Sequence, residues 1–151
     1  MNKSYWRFVA MVATSTIIMY GVMYLNTYAF DHVFWSETRA WMALVMGAVM
    51  AVVMLSFMLN MYQKKKINIA IYAGSAVLFI AALWIVRSQV TVDDTDYMKA
   101  MIPHHSIAIL TSERAKISDP RVRELADEII AAQRREIEEM KYLINDLEKA
   151  D

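Results

Sequence analysis

The sequence of 151 residues contains no cysteine, only three glycines and only two prolines. Without cysteine there can be no disulfide framework and no thiolate metal site. With so few glycines and prolines, little punctuates the chain, and long helices are expected. Charge is also missing, but only locally. Residues 8–30, 40–62 and 67–86 contain no Asp, Glu, Lys or Arg, and most of the charge lies after Arg87. The formal net charge of zero therefore describes neither half of the chain.

A helix needs about 20 apolar residues to cross a hydrocarbon core of roughly 30 Å. Each charge-free run meets that length, and burying three such helices in a soluble core would take a much larger protein. The expected fold class is all-α. A three-span transmembrane domain covers residues 1–89, with spans at about 8–30, 40–62 and 67–86, and an extracytoplasmic unit covers 90–151. The first run follows Lys3 and Arg7, as a signal peptide would, but it exceeds the usual apolar length of one. No small-x-small cleavage site follows it, so an uncleaved anchor is expected.

Flanking charges predict direction. Lys3, Arg7 and the Lys64-Lys65-Lys66 turn mark the cytoplasmic side, whereas the 31–39 loop carries Asp31, Glu37 and only Arg39. Trp35, Trp41 and Trp84 then gather at the outer interface, and Tyr5, Trp6 and Tyr62 at the inner one. The expected location is the bacterial inner (cytoplasmic) membrane, with a cytoplasmic N-terminus. Ala43, Gly47 and Ala51 form a small-residue face suited to close helix contact, and Ala70 and Gly74 add to it. Six methionines from Met42 to Met61 lie along the second span. A four-residue step drifts by about 40° each time, so they form no straight relay, and flexible packing accounts for them.

After Arg87 the pattern becomes amphipathic. Asp93 can cap a first helix, with Asp94 and Asp96 in its first turn, ending near Lys116. Asp119-Pro120 starts a second, with Asp as N-cap and Pro at the first position, ending near Lys149. Its apolar stripe includes Val122, Leu125, Ala126, Ile130, Ile137 and Leu147. An antiparallel hairpin alone buries too little to be stable. It must dock on another element of the chain or pair with a second copy, and a homodimer completing a four-helix bundle is expected. This segment has 14 acidic and 9 basic residues, which argues against nucleic acid as a partner.

The chemistry-bearing stretch is Met98-Lys99-Ala100-Met101-Ile102-Pro103-His104-His105. Met98, Met101 and His105 share a helix face, with His104 at its edge. Pro103 inside the helix predicts a local bend. With the hairpin turn centred near Ser118, His104 should face Ala132 and Gln133, Met101 should face Glu136, and Met98 should face Met140. Thioether sulfur selects Cu(I), imidazole also suits copper, and Ag(I) fits the same donors. The candidate metal ligands are Met98, Met101, His104, His105 and Met140. Gln133 and Glu136 are expected to orient an imidazole or to ligate, and His32, at the outer end of the first span, is a further candidate. Taken singly, each could equally be packing or a solvated residue.

On Met101-Ile102-Pro103-His104-His105, Asp119-Pro120 and the run from Leu125-Ala126 through Ile129-Ile130-Ala131-Ala132-Gln133 to Glu136-Ile137 and Met140, the segment from about Asp96 to Leu147 resembles the domain-of-unknown-function family 305. That resemblance implies a ferritin-like, exported bacterial domain associated with copper handling. The expected function is a membrane-anchored copper-binding protein that buffers Cu(I) or exchanges it with a donor or acceptor protein, without turnover. Di-iron oxidase chemistry would need Glu-x-x-His motifs, which are missing, so an enzyme is not expected. The competing reading is a metal-free assembly subunit of a larger membrane complex.

Overall fold

The computed structural model describes residues 3–150. Its helices are α1 (Lys3–Val22), α2 (Glu37–Phe57), α3 (Lys65–Ser88), α4 (Asp94–Arg114) and α5 (Pro120–Ala150), with a short 3-10 turn at Phe30–His32. The all-α class is therefore observed, and no strand occurs among the described residues. The chain divides into two compact units. The first holds the chain up to Met23 together with Thr38–Thr91, and the second holds Tyr24–Glu37 together with the chain from Val92 onward. In this division residues 24–37 group with the hairpin unit.

In the first unit, α2 and α3 are long and apolar enough to cross a membrane by length and composition, where three such segments were expected. The run at 8–30 does not form one span. Helix α1 starts earlier, includes Arg7 and the polar Thr14-Ser15-Thr16, and stops at Val22. A turn follows, in which the Thr27 hydroxyl donates to the Tyr24 carbonyl at 2.9 Å. Hydropathy registers the missing charge across this stretch but not the point where the helical ladder ends. Likewise α2 stops at Phe57, and a turn held by Met61 N–H to the Met58 carbonyl at 2.9 Å occupies the rest of the expected second span.

Helix α1 packs on this unit through Tyr5 and Phe8, buried with Ala51, Leu55 and Tyr62. The Tyr5 hydroxyl donates to Asn68 Oδ1 at 2.9 Å and accepts from Lys64 N–H at 3.1 Å. Asn68 in turn donates to the Tyr62 carbonyl at 2.5 Å, so the turn between α2 and α3 is tied down by buried polar contacts. The small-residue face is buried at Ala43, Gly47 and Ala51. Most apolar side chains of α3 remain open, Val77 at 67% for example.

In the second unit, Asp93 caps α4 as expected, its carboxylate accepting from Asp96 N–H at 2.7 Å. Asp119 accepts from Arg121 N–H at 2.9 Å ahead of α5, which opens on Pro120. The seam between α4 and α5 is filled by Met98, Ile102, Ile109, Ile137 and Ile144, with Phe34 from the connection between α1 and α2 packed against it. An element of this chain therefore covers one side of the hairpin. Helix α4 continues through Pro103, which is buried.

A Cβ at position 47 would collide with Oγ1 of Thr16, whose hydroxyl already donates to the Val12 carbonyl. Gly47→Val should therefore destabilise the apolar unit by about 1–3 kcal/mol, seen as a lower thermal unfolding midpoint in detergent. An unchanged midpoint would mean that the contact between α1 and α2 has slack.

Candidate metal groove

The hairpin's helices meet face to face along the isoleucine seam, and beside that seam lies an open groove of about 500 Å³. Met98, Met101 and His105 line it from α4, and Glu136 and Met140 from α5. Spacings of three, four and seven residues place each set on one face of its helix. Asp94 and Tyr97 extend the α4 wall, and Glu139 and Asp146 the α5 wall, so carboxylates rim a lining of thioethers. These four were not anticipated, although Asp94 lies four residues before Met98 and Asp146 seven after Glu139, each pair on one helix face.

His105 is oriented at both ring nitrogens. Its Nδ1 lies 3.0 Å from the carbonyl oxygen of Met101. A carbonyl can only accept, so Nδ1 carries the hydrogen and donates. Nε2 is left facing Glu136 Oε2 at 2.8 Å. A carboxylate oxygen likewise accepts, so Nε2 is engaged by Glu136 and could reach a metal only once that contact is given up.

The structure separates the two adjacent histidines. His105 reaches the groove, whereas His104 is exposed and is not among its lining residues. His105, and not Met101, stands against Glu136, because the helix register is set by interlocking isoleucines and not by the centre of the turn. Gln133 is partly buried outside the groove lining. Among the described residues, no group of three or more His, Asp or Glu side chains converges as a metal site. The groove lining holds three thioethers and one imidazole beside the carboxylates of Asp94, Glu136, Glu139 and Asp146.

His32 lies elsewhere. It is buried in the connection between α1 and α2, with Nδ1 2.9 Å from Ser106 Oγ. Ser106 Oγ also accepts from Tyr28 N–H at 2.6 Å, so its own hydrogen is free to go to His32. The histidine therefore fastens this segment to α4. Burial pushes its pKa below 6.5, against the opposing pull of Asp31 and Glu138, while Lys141 adds to the depression. Lys141 itself bonds Asp31 at 2.6 Å and holds that carboxyl below its ordinary range. Sequence reasoning missed Ser106 altogether, since a serine one residue from a histidine pair carries no signal of its own.

The second unit is thus a helical hairpin bearing a Met/His groove. Residues 88–151 match the family described as Domain of unknown function (DUF305), so the resemblance of the C-terminal segment to that family holds over its whole length. An uncharacterized protein, L153, of Acanthamoeba polyphaga mimivirus is 38% identical over 71 residues, covering 46% of this chain and 47% of that protein. The chain thus matches about half the length of this relative. No solved structure matches.

The depressed pKa of His32 has a signed consequence. The unfolded chain takes up a proton near pH 6.5 that the folded chain resists, so stability from this site is complete above that pH and declines as pH falls below it. His32→Gln should flatten this decline, read as amide exchange of α4 between about pH 7 and pH 5. Equal slopes in both proteins would show that His32 is not the responsible group.

Proposed function

We propose that the protein is a membrane-anchored copper-binding protein that holds Cu(I) in the hairpin groove and buffers it or passes it to a partner by ligand exchange. The observation that carries this reading is the shared lining of Met98, Met101, His105 and Met140, with the His105 ring already fixed by the Met101 carbonyl. Thioether and imidazole donors suit Cu(I), and Ag(I) by the same chemistry. Glu136 would act as the partner that orients His105 until the metal takes Nε2. No step breaks or forms a covalent bond in substrate, so the protein is not proposed as an enzyme.

Helices α2 and α3 are proposed to span the bilayer, with α1 packed on α2 through Tyr5 and Phe8. The lysines at 64–66 and the charges at Lys3 and Arg7 support a cytoplasmic N-terminus in a bacterial inner membrane, with the groove outside. On α5, Val122 and Leu125 remain exposed, which supports a homodimer in which a second copy covers them.

Cu(I) titration of the detergent-purified protein against a chromophoric chelator tests the site. His105→Ala should weaken binding by about a hundredfold, the scale of losing an essential ligand or its support. His104→Ala should leave it nearly unchanged. Equal affinity in all three proteins would remove the metal reading and promote a metal-free assembly subunit.

A further inference from the structure

We propose that the outward side of the connection between α1 and α2 docks on the lipid bilayer, strapping the hairpin unit to the membrane surface with its Met/His groove uncovered. The proposal rests on the membrane reading of α2 and α3, and it goes beyond it by assigning a lipid-binding surface to the unit outside the spans.

The connection is built as part of the hairpin and not as a loose loop. Tyr28 N–H and the His32 ring both bond Ser106 Oγ, and Phe34 packs with the isoleucine seam. A short 3-10 turn at Phe30–His32 fixes the backbone between these anchors, with Val33 N–H donating to the Phe30 carbonyl at 3.1 Å. Two of its side chains, His32 and Asp31, are engaged by the hairpin. His32 is buried, and Asp31, the one charged residue between positions 24 and 36, is bonded by Lys141 of α5.

Beside the exposed Asn26 and Asp31, the outward side carries large apolar side chains. Phe30 is 97% exposed, Leu25 81% and Val33 45%. Together with Thr27, Tyr28 and Ala29 they line a shallow concavity of about 540 Å³. A flexible loop could fold such side chains away, but a hydrogen-bonded turn cannot. Single exposed hydrophobics are ordinary on soluble proteins, whereas three around one concavity on a fixed turn form a patch that an apolar medium would cover.

The strap's place in the chain identifies that medium as lipid. Val33 lies four residues before Glu37, where α2, one of the two helices suited to crossing a membrane, begins. Four residues extend at most about 14 Å, which keeps the patch within reach of the headgroup layer. Aromatic and aliphatic side chains at that depth anchor proteins to the interface. The strap meets α4 at Ser106 and shares a crevice with Ile109 and Ile137, none of which lines the groove. Lipid contact through the strap therefore leaves the groove open to metal.

The chain has no native cysteine, so single labels report unambiguously. Full-length protein carrying Phe30→Cys would be nitroxide-labelled in palmitoyl-oleoyl phosphatidylcholine vesicles and compared with Val77→Cys on α3 and Glu128→Cys on α5, both exposed positions. Collision with oxygen, relative to a water-soluble nickel chelate, should be several-fold higher at position 30 than at 128 and should approach that at 77. Water-like behaviour at 30 with lipid-like behaviour at 77 overturns the strap proposal alone. Water-like behaviour at 77 overturns the membrane reading beneath it. Shielding of position 30 from both reagents identifies a protein contact and also overturns the proposal.

Discussion

A hairpin of two helices has one seam and two open sides, and one seam cannot bury enough apolar surface to hold the pair together. The second unit of this protein depends on how that shortage is met. The connection between α1 and α2 lies along one side, and the Ser106 hydroxyl ties it there by bonding both Tyr28 N–H and His32. Ser106 is fully buried, so leaving either partner unmatched would carry the desolvation penalty of an orphaned polar group. Phe34 adds an apolar contact to the same side. The surface pairs around it, Arg134 with Glu113 and Lys141 with Asp31, fix position more than they contribute energy.

The groove follows from this arrangement. Isoleucines and Met98 fill the seam where the helices touch, while beside it Met101 and Met140 present flexible side chains that leave space. One imidazole projects among them, aligned by a carbonyl of its own helix. In the proposed reading, this softness is what a transferable ion requires, because polarizable donors hold Cu(I) without a rigid cage of charged ligands.

Much of the local structure could be read from the residues. Asp93 and Asp119-Pro120 mark helix starts because capping is decided within a few residues. The alignment of Met98, Met101 and His105 follows from helical spacing alone, and so does the small-residue face at Ala43, Gly47 and Ala51. The end of α1 was not legible, since residues 23–30 are as free of charge as residues 8–22 before them and the stop depends on turn hydrogen bonds.

The sequence by itself determined where the hairpin's helices begin, which stretches avoid water and which side chains could act as soft donors, because these depend on spacings of a few residues. Only the tertiary structure decided that His105 and not His104 enters the groove, since that depends on which faces of α4 and α5 interlock. It also decided that His32 is a fastener, because its partner Ser106 lies 74 positions away along the chain and no local pattern links the two.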